Sequence, residues 1–453
     1  MSKNSLVAKG PLEKFFKIRE KNSTVKTELI AGLTTFVAVA YIIFVNPNIL
    51  AESGIPKEAA IAATIWSAVF STALMGVWAN YPVAVAPGMG LNAFFTYTAV
   101  MTFGLTWQAA LGAVFISGVV FLILTMGGIR QAIIKSVPMN LKSAIGVGIG
   151  AFIAFIGLQG SGIVVANPAT LVSAGAIAGL DFEFGRPAPL LTCVGVIVTG
   201  VLMCRGVKGA MLLGILFTTL LGMVFGACPP PAGLGSVIST EIPSLSATFM
   251  QLDLRSALKF GVFSIIFTFT IVELFDNMGT LIGLTKKAGL MKEDGSIENL
   301  DRALTTDAIG TMSSAVLGTS TVTSYVESAA GVAEGGRTGL TALVVALLFI
   351  VALLFSPLIG LVPAFATAPA LIIVGALMMS EVVHINFDDI TDAIPAFLTI
   401  IMMPLTYSIA NGFAFGFVSY TLLKLCSGRF REISPVMAVV SAAFILNFVL
   451  RLH

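Results

Sequence analysis

FGVFSIIFTFTIVELFDNMGTLIG, residues 260–283, is a stretch of 24 residues that is apolar almost throughout. At about 1.5 Å per residue, a helix of this length crosses a bilayer. It carries two acids, Glu273 and Asp276, and their spacing of three places them on one helical face. A charge at bilayer depth is costly, so the two acids predict an internal cavity or a binding partner. The alternative is a protonated or paired couple with a structural role.

The composition of the whole chain indicates a polytopic helical membrane protein. Of its 453 residues, 57% are apolar and 11% are charged, whereas soluble proteins carry about 25% charged residues. The alternation typical of a membrane barrel is missing. The two histidines, His384 and His453, weigh against a metal site and against a hydrolase, and no basic, aromatic-rich stretch indicates nucleic acid binding. We therefore expect neither an enzyme nor a metalloprotein.

Hydropathy predicts fourteen spans after a basic amphipathic N-terminal segment, residues 1–27. A further apolar run, 434–451, is left open as an extra helix in or along the membrane. The spans, numbered 1 to 14, are 28–50, 58–80, 82–103, 107–127, 139–158, 188–204, 207–226, 260–283, 300–317, 318–336, 338–359, 363–382, 390–409 and 411–427.

The distribution of Lys and Arg sets the predicted orientation. Basic residues concentrate in the N-terminal segment and in alternate loops, including 128–138, 205–208 and 284–299. The intervening loops, 51–57, 159–187 and 227–250, hold few. The N-terminus and residue 428 are therefore expected in the cytoplasm, which fits an even number of spans, and the expected location is a bacterial inner membrane.

Spans 3 and 10 are interrupted. Span 3 begins YPVAVAPGMGLNAFF, where prolines and glycines favour extended chain over 83–86 and a half-helix from about Gly90. Span 10 begins GTSTVTSYVESAAG, where threonines favour extended chain and Ser324 is a candidate cap for a helix starting near Tyr325. Broken spans at matching positions of two inverted halves indicate a transporter site near the bilayer midplane.

The polar groups at these breaks suggest the ligand. Asn92 brings an amide, and Glu327 brings a carboxylate beside the free N–H groups of a helix start. Together with Asp276, these groups suit a flat ligand with several N–H donors, such as a nucleobase, and Phe94 is a candidate to stack on it. The same groups also suit Na⁺, and the chemistry of the residues alone leaves both readings open.

Five motifs in order resemble the nucleobase–cation symporter type 2 family, and within it the adenine/guanine/hypoxanthine permease (AzgA-like) branch. The motifs are TTFVAVAYIIFVNP (34–47), APGMGLNAFF (86–95), ELFDNMGTLIG (273–283), GTSTVTSYVESAAG (318–331) and EGGRTGLTA (334–342). The resemblance as a whole covers about residues 12–430. The resemblance implies two inverted repeats of seven spans, 28–226 and 260–427. It also implies a core domain (28–127 and 260–359) and a gate domain (139–226 and 363–427), with the extended pieces of spans 3 and 10 paired antiparallel.

The resemblance also assigns site residues. The acid of span 8 followed by x-x-G matches Asp276 before Gly279, which ranks Asp276 above Glu273 as the substrate contact. Glu327 matches the acid of the Y-x-E-S pattern. Asn92 matches the asparagine of G-x-N-A, while Asp392, in the D-x-x-P pattern of span 13, implies a role in gating.

Two positions depart from what the relatives lead one to expect. Glu273 is an acid outside the branch pattern, so the proton carrier is open among Glu273, Asp276 and Glu327. Thr280 stands where the uracil-type relatives have a histidine, so a proton relay through that histidine is excluded. Gly279 and Thr280 are expected to let the ligand come close.

The expected function is a secondary active transporter that imports purine bases by proton symport. Its only expected cofactor is the coupling proton, and its expected partners are the lipid bilayer and a second copy of the chain through the gate domain. Sodium coupling and an anion transporter of the same architecture are the alternatives. The two acids weigh against an anion, which would favour a basic residue or a cavity without acids.

Overall fold

The computed structural model describes residues 10–127, 136–179, 182, 186–258, 263–290 and 297–450, without the side chains of 263, 264, 275, 276, 278, 279, 282 and 447–450. Each predicted span contains a helix in this part of the chain. Among the described residues, seven helices are long and apolar enough to cross a membrane: Val25–Glu52, Lys57–Ala79, Trp107–Met126, Met139–Gly160, Gly339–Leu361, Ala364–His384 and Ile409–Cys426. The other spans are shorter, interrupted or more polar, with helices at Met89–Ala93 continued by Phe94–Thr102, and at Pro189–Cys204, Ala210–Val224, Phe263–Lys287, Leu300–Leu317, Ala329–Ala333 and Ile390–Leu405.

Helices dominate because a bilayer offers the backbone no hydrogen-bond partners. The two interrupted spans keep this rule by pairing with each other. Strand β1 (Val85–Pro87) of span 3 pairs antiparallel with strand β4 (Val322–Ser324) of span 10, so the backbone of each break is satisfied by the other. The predicted interruption of both spans is confirmed, and so is their antiparallel pairing.

The helices form two packed groups. The core group is spans 1, 2, 4, 8, 9 and 11 with the broken spans 3 and 10, and the gate group is spans 5, 6, 7, 12, 13 and 14. Small residues set the closest crossings in both groups. A Cβ atom on Gly339 of span 11 would lie 1.9 Å from the carbonyl oxygen of Gly76 in span 2. A Cβ atom on Gly375 of span 12 would lie 2.4 Å from the carbonyl oxygen of Gly150 in span 5. The residue boundaries of the repeats and domains stay a prediction.

The buried acid Glu28 connects span 1 to span 11, the first and last spans of the core group. Glu28, fully buried in span 1, accepts hydrogen bonds from the backbone N–H groups of Arg337 (3.0 Å) and Thr338 (3.2 Å). The Thr341 hydroxyl donates a third, at 2.6 Å. Glu28 thus supplies acceptors to the start of span 11, where N–H groups have no partner within their own helix.

Two terminal and loop elements differ from the sequence prediction, and a third was left open by it. The N-terminal amphipathic helix is only Pro11–Phe15, because the chain then turns to bury Phe16 and Ile18 against Leu340. The loop after span 5 contains a hairpin of β2 (Val164–Asn167) and β3 (Leu171–Ala174) that the sequence did not indicate. The terminal apolar run is a helix, Pro435–Leu450, that packs on span 14.

Candidate functional site

The candidate site lies at the pairing of β1 with β4, named the strand crossing, because both half-helices begin there. The helix of span 3 starts at Met89 after Gly88, close to the predicted Gly90. In span 10 a turn of 3₁₀ helix, Val326–Ser328, follows Tyr325 and continues into Ala329–Ala333. The first N–H groups of each half-helix therefore lie next to the strand pair, where they can attract an electronegative ligand atom.

Glu327 lies at the start of the span 10 half-helix and contacts span 1. Its Oε1 accepts a hydrogen bond of 2.8 Å from the hydroxyl of Tyr41, which is itself buried. The neighbouring Tyr325 donates its hydroxyl to the carbonyl of Pro87 at 2.5 Å, which fixes the half-helix of span 10 against β1. Glu327 is half-buried, and the contact with Tyr41 holds its carboxylate in a defined position next to the strand pair.

Asn92 begins a chain of amide and hydroxyl contacts on the other side of the strands. Its Nδ2 donates to Oδ1 of Asn46 at 2.9 Å, and Asn46 Nδ2 donates to the hydroxyls of Thr64 (2.7 Å) and Thr319 (3.0 Å). Asn92 is fully buried, and its Oδ1 has no hydrogen-bond partner within the described part of the chain. A buried amide oxygen in this state calls for a ligand, an ion or a water molecule.

Span 8 meets β4 through Asn277, a residue that the sequence analysis did not single out. Its Oδ1 accepts the backbone N–H of Ser324 at 2.8 Å, while its fully buried Nδ2 lacks a hydrogen-bond partner among the described residues. Ser324 does not cap the half-helix as predicted. Its hydroxyl donates instead to Asp307 of span 9 at 3.2 Å, because the side chain of a residue in β4 points away from the helix start.

The remaining candidates of span 8 divide between described and undescribed positions. The side chains of Asp276 and Gly279 lie outside the described residues, and their backbone belongs to the helix Phe263–Lys287. Thr280, one turn after Asn277 in the same helix, is half-buried. Glu273 is fully buried and accepts a 2.6 Å hydrogen bond from the Thr311 hydroxyl of span 9.

Phe94 lies in the apolar core beside this region. Its ring is fully buried and meets Phe269 edge-to-face at a centroid distance of 4.8 Å. Phe94 follows Asn92 by two residues, so the ring belongs to the same half-helix as the unpartnered amide oxygen. Its proposed stacking on a ligand stays a prediction.

Asp392 lies apart from the strand crossing, in an ionic cluster of the gate group. Its Oδ2 accepts from Asn140 of span 5 at 3.1 Å, and its Oδ1 is 3.0 Å from Nζ of the fully buried Lys424 of span 14. Lys424 also contacts Glu432 (2.8 Å) and Asp389 (3.8 Å). Three acids thus compensate one buried ammonium and join spans 5, 13 and 14.

Arg429 extends this cluster outside the membrane-spanning helices. Its guanidinium lies 2.5 Å from Asp389 and 2.7 Å from Glu432. Hydrogen bonds from Thr391 and then Arg429 hold the pKa of Asp389 well below its usual range. Lys424 and Arg429 lower the pKa of Glu432 in the same way. Both acids therefore stay ionised well into the acid range.

Comparison with known proteins places this architecture in a family. A family model described as "Permease family" matches residues 26–415. Adenine permease AdeP of Escherichia coli (strain K12) is 43% identical over 97% of this chain and 96% of its own length. Guanine/hypoxanthine permease PbuG of Bacillus subtilis (strain 168) is 46% identical over 97% of this chain and 99% of its own length.

Solved structures support the fold independently of the close relatives. The transmembrane domain of a cyanobacterial bicarbonate transporter, BicA, aligns with a TM-score of 0.61 at 16% identity, over 85% of this chain and 97% of that one. SLC26A9 aligns with a TM-score of 0.62 at 11% identity, over 92% of this chain and 68% of that one. These structures share the inverted-repeat arrangement of core and gate. The resemblance in the five motifs is thus confirmed, and the chain belongs to the permease family of nucleobase–cation symporters type 2, a family of multi-pass membrane transporters rather than enzymes.

Proposed function

We propose that this protein is a secondary active transporter that imports adenine, guanine or hypoxanthine by proton symport. One observation carries the proposal. The buried Oδ1 of Asn92 and Nδ2 of Asn277, which lack partners among the described residues, are found on spans that meet the β1–β4 crossing, where Glu327 is half-buried. An acceptor, a donor and a carboxylate at one place are the groups that a purine edge requires. The names of the relatives AdeP and PbuG support the choice of purines.

In the proposed complex the base lies between span 8 and the half-helix of span 10. Asp276 and Glu327 accept N–H groups of the base. Asn92 supplies its amide to a ring atom, and Phe94 contacts the ring. Ser324, Gly279 and Thr280 form the remaining surface. Glu327 is already oriented by Tyr41, which lowers the entropy cost of binding.

The coupling proton resides on one of the acids at this site. Glu327, Asp276 and Glu273 are the candidates, and Glu273 is held by Thr311 on the side of span 9. Binding of proton and base from outside precedes movement of the core group against the gate group, which releases both inside. Sodium is the alternative coupling ion, because carboxylates and strand carbonyls also suit it.

The proposal includes a location and an assembly. The chain lies in a bacterial inner membrane with its N-terminus in the cytoplasm, and two copies associate through the gate group. Asp392 contributes to gating by holding spans 5 and 14 together through Asn140 and Lys424. Relative motion of the groups then occurs with the gate group as one rigid part.

An uptake panel in cells that lack their own purine permeases tests the function. We expect accumulation of radiolabelled adenine, guanine or hypoxanthine, and no accumulation of uracil. Collapse of the pH gradient should abolish it, and replacement of sodium should not. If removal of sodium alone abolished uptake, sodium rather than the proton would be the coupling ion. Transport of bicarbonate without any purine would favour the anion alternative.

Variants test the site. Glu327→Gln and Asp276→Asn should each reduce purine uptake at least tenfold, since each removes an ionisable acceptor. Glu58→Gln, at an exposed acid at the start of span 2, is the matched control and should transport like the wild type. Wild-type accumulation by both site variants would overturn the assignment.

A further inference from the structure

A second cavity lies between the core and gate groups, away from the strand crossing. Its volume is about 480 Å³, within the ~300–1,000 Å³ range of small-molecule sites. The core group contributes Glu52 and Tyr97, and the gate group contributes Gln159 and Tyr407. Glu52, Gln159 and Tyr407 lie at the C-terminal ends of spans 1, 5 and 13. Tyr97 lies in the last turns of span 3. With the N-terminus in the cytoplasm, the cavity therefore opens on the outer side.

The lining has a distinct chemistry. It offers one carboxylate (Glu52), two phenol rings (Tyr97 and Tyr407), the amide of Gln159 and the hydroxyl of Thr102, and the described residues that line it include no Lys, Arg or His. The Tyr97 hydroxyl interacts with the Glu52 carboxylate, which also lies within electrostatic reach of Tyr407. An anion would be repelled by the carboxylate of Glu52. A neutral, flat ring with N–H donors would find an acceptor and two aromatic faces.

Two of the residues that line this cavity, Tyr97 and Tyr407, belong to an aromatic cluster. The ring of Tyr407 meets Tyr97 at 5.2 Å, Phe152 at 5.4 Å and Phe155 at 5.8 Å, each close to edge-on. Tyr97 belongs to span 3, whereas the other three belong to the gate group, so this contact closes one group on the other. The Thr98 hydroxyl adds a hydrogen bond of 3.1 Å to the backbone carbonyl of Tyr407.

The backbone of Tyr407 is strained. Its φ is 52°, a left-handed conformation that residues other than glycine rarely adopt. Such conformations persist where the surroundings enforce them, and they occur at sites that switch between arrangements. Here the residue ends the helix Ile390–Leu405, where the N–H groups of Tyr407 and Ser408 donate back to the carbonyls of Pro404 (3.3 Å) and Met403 (3.1 Å). The left-handed residue therefore fixes the direction in which the chain leaves span 13 at the contact with Tyr97.

The cavity and the strand crossing lie along one half-helix. Tyr97 follows Asn92 by five residues, across the junction of the α-helix Met89–Ala93 with its π-helical continuation Phe94–Thr102. We infer that the cavity is an outer subsite, at which a purine base binds against Glu52 and Tyr97 before the Tyr97–Tyr407 contact opens and admits it to the strand crossing. The inference rests on the proposed function and adds a second binding position, with its own acceptor.

A protection experiment tests the outer subsite directly. Met101 lines the cavity and is 54% exposed, so Met101→Cys introduces a reporter thiol there. The native cysteines are first replaced by serine, namely Cys193, Cys204, Cys228 and Cys426. In intact cells, hypoxanthine or adenine should slow alkylation at position 101 by a membrane-impermeant maleimide at least threefold. Leu234→Cys, 85% exposed and outside the cavity, is the control reporter and should be unaffected.

Two added substitutions separate this subsite from the central one. With Glu327→Gln, protection at position 101 should persist, because the outer acceptor is intact. With Glu52→Gln, protection should disappear. Protection that is lost with Glu327→Gln and kept with Glu52→Gln would overturn the inference, as would an alkylation rate that no base changes.

Transport kinetics supply a second readout. Glu52→Gln should raise the KM for purine uptake about 5- to 30-fold with a Vmax within about twofold of wild type, because binding is weakened and the central site is untouched. Glu58→Gln is the matched control. If the wild type transports purines and Glu52→Gln behaves like Glu58→Gln, the inference of an outer subsite is wrong while the proposed function stands. If the wild type neither transports nor is protected by any purine, the proposed function fails with it.

Discussion

Tyr41 holds the Glu327 carboxylate from the middle of span 1, at the point where that helix is interrupted between Val39 and Ile42. The contact connects span 1, in the first half of the chain, with Glu327 of span 10, in the second half. A carboxylate oriented before the ligand arrives loses less freedom on binding. We therefore expect the single hydroxyl of Tyr41 to affect substrate affinity more than folding.

Tyr41→Phe tests this role. The ring and its packing remain, but Glu327 loses the donor, and we expect a rise of about tenfold in KM for the transported base, since a hydrogen bond to a charged group contributes about 1.5–3 kcal/mol. Tyr420→Phe, whose hydroxyl is 3.5 Å from the Glu432 carbonyl, is the control. Equal KM values for the two variants would remove Tyr41 from the site.

Glu28, by contrast, has a structural role and takes no part in the strand crossing. Glu28→Ala leaves the two N–H groups without their acceptor and the Thr341 hydroxyl with only the 3.4 Å contact to the backbone carbonyl of residue 28, at ~1–3 kcal/mol for each buried donor left unpaired. We expect the Tm in detergent to fall by at least about 5 °C. Glu381→Gln, at an exposed acid, should leave it unchanged. A Tm like that of wild type for Glu28→Ala would show that water replaces the carboxylate.

At the scale of single residues the sequence indicated Asn92 and Ser324 but missed their hydrogen-bond partners. Asn277, Asn46 and Asp307 are polar residues in apolar helices, and nothing in their local pattern distinguishes a contact to a distant strand from a contact to a neighbouring turn. Ser324 shows the same limit, because a serine before a helix resembles a cap until the strand places its hydroxyl near Asp307.

At the scale of elements, the two broken spans were predictable and the small ones were not. Prolines and glycines around 82–90 and the threonines of 319–323 interrupt an otherwise apolar pattern strongly enough to be read directly. The hairpin at 164–174 lacks such a signal. The N-terminal helix ends early because Phe16 and Ile18 bury against span 11, a tertiary contact that overrides the amphipathic pattern.

The crossing of spans 2 and 11 gives a test at this scale. In Gly339→Ala the new methyl group would lie 1.9 Å from the Gly76 carbonyl oxygen, so the helices must separate, and overpacking of this kind costs about 1–3 kcal/mol. Gly360→Ala, in the same helix with no atom within 4 Å of the added Cβ, is the matched control. We expect a lower Tm for the first variant alone, and equal Tm values would contradict the crossing.

At the scale of the whole molecule, the ionic cluster joins spans 5, 13 and 14 to the chain that follows them. Asp389 and Glu432 of this cluster have lowered pKa values in the folded state, so their stabilising effect is complete above the unfolded values of ~4. The effect is lost as the pH falls through the folded values. The cluster therefore contributes equally at pH 5 and pH 7 and weakens only in strong acid.

Arg429→Gln reveals this dependence. We expect its Tm to lie below that of wild type by a constant amount from pH 5 to pH 7, and the difference to shrink as the pH falls below about 4, where protonation removes the ion pairs of the wild type as well. Arg431→Gln, two residues away and exposed, is the control. A difference that grows in acid would reverse the assigned sign.

The pairing of β1 with β4 also has a consequence for how the protein is made. Val85 pairs with Ser324, so the ribosome must add about 240 residues between the two strands. At about 5–20 residues per second, β1 waits roughly 10–50 s for its partner. During that interval its backbone groups sit at membrane depth without their final hydrogen bonds, a state that the bilayer penalises. The first seven spans made alone would keep this exposed edge, so half-length chains are expected to be substrates for membrane quality control rather than stable half-transporters.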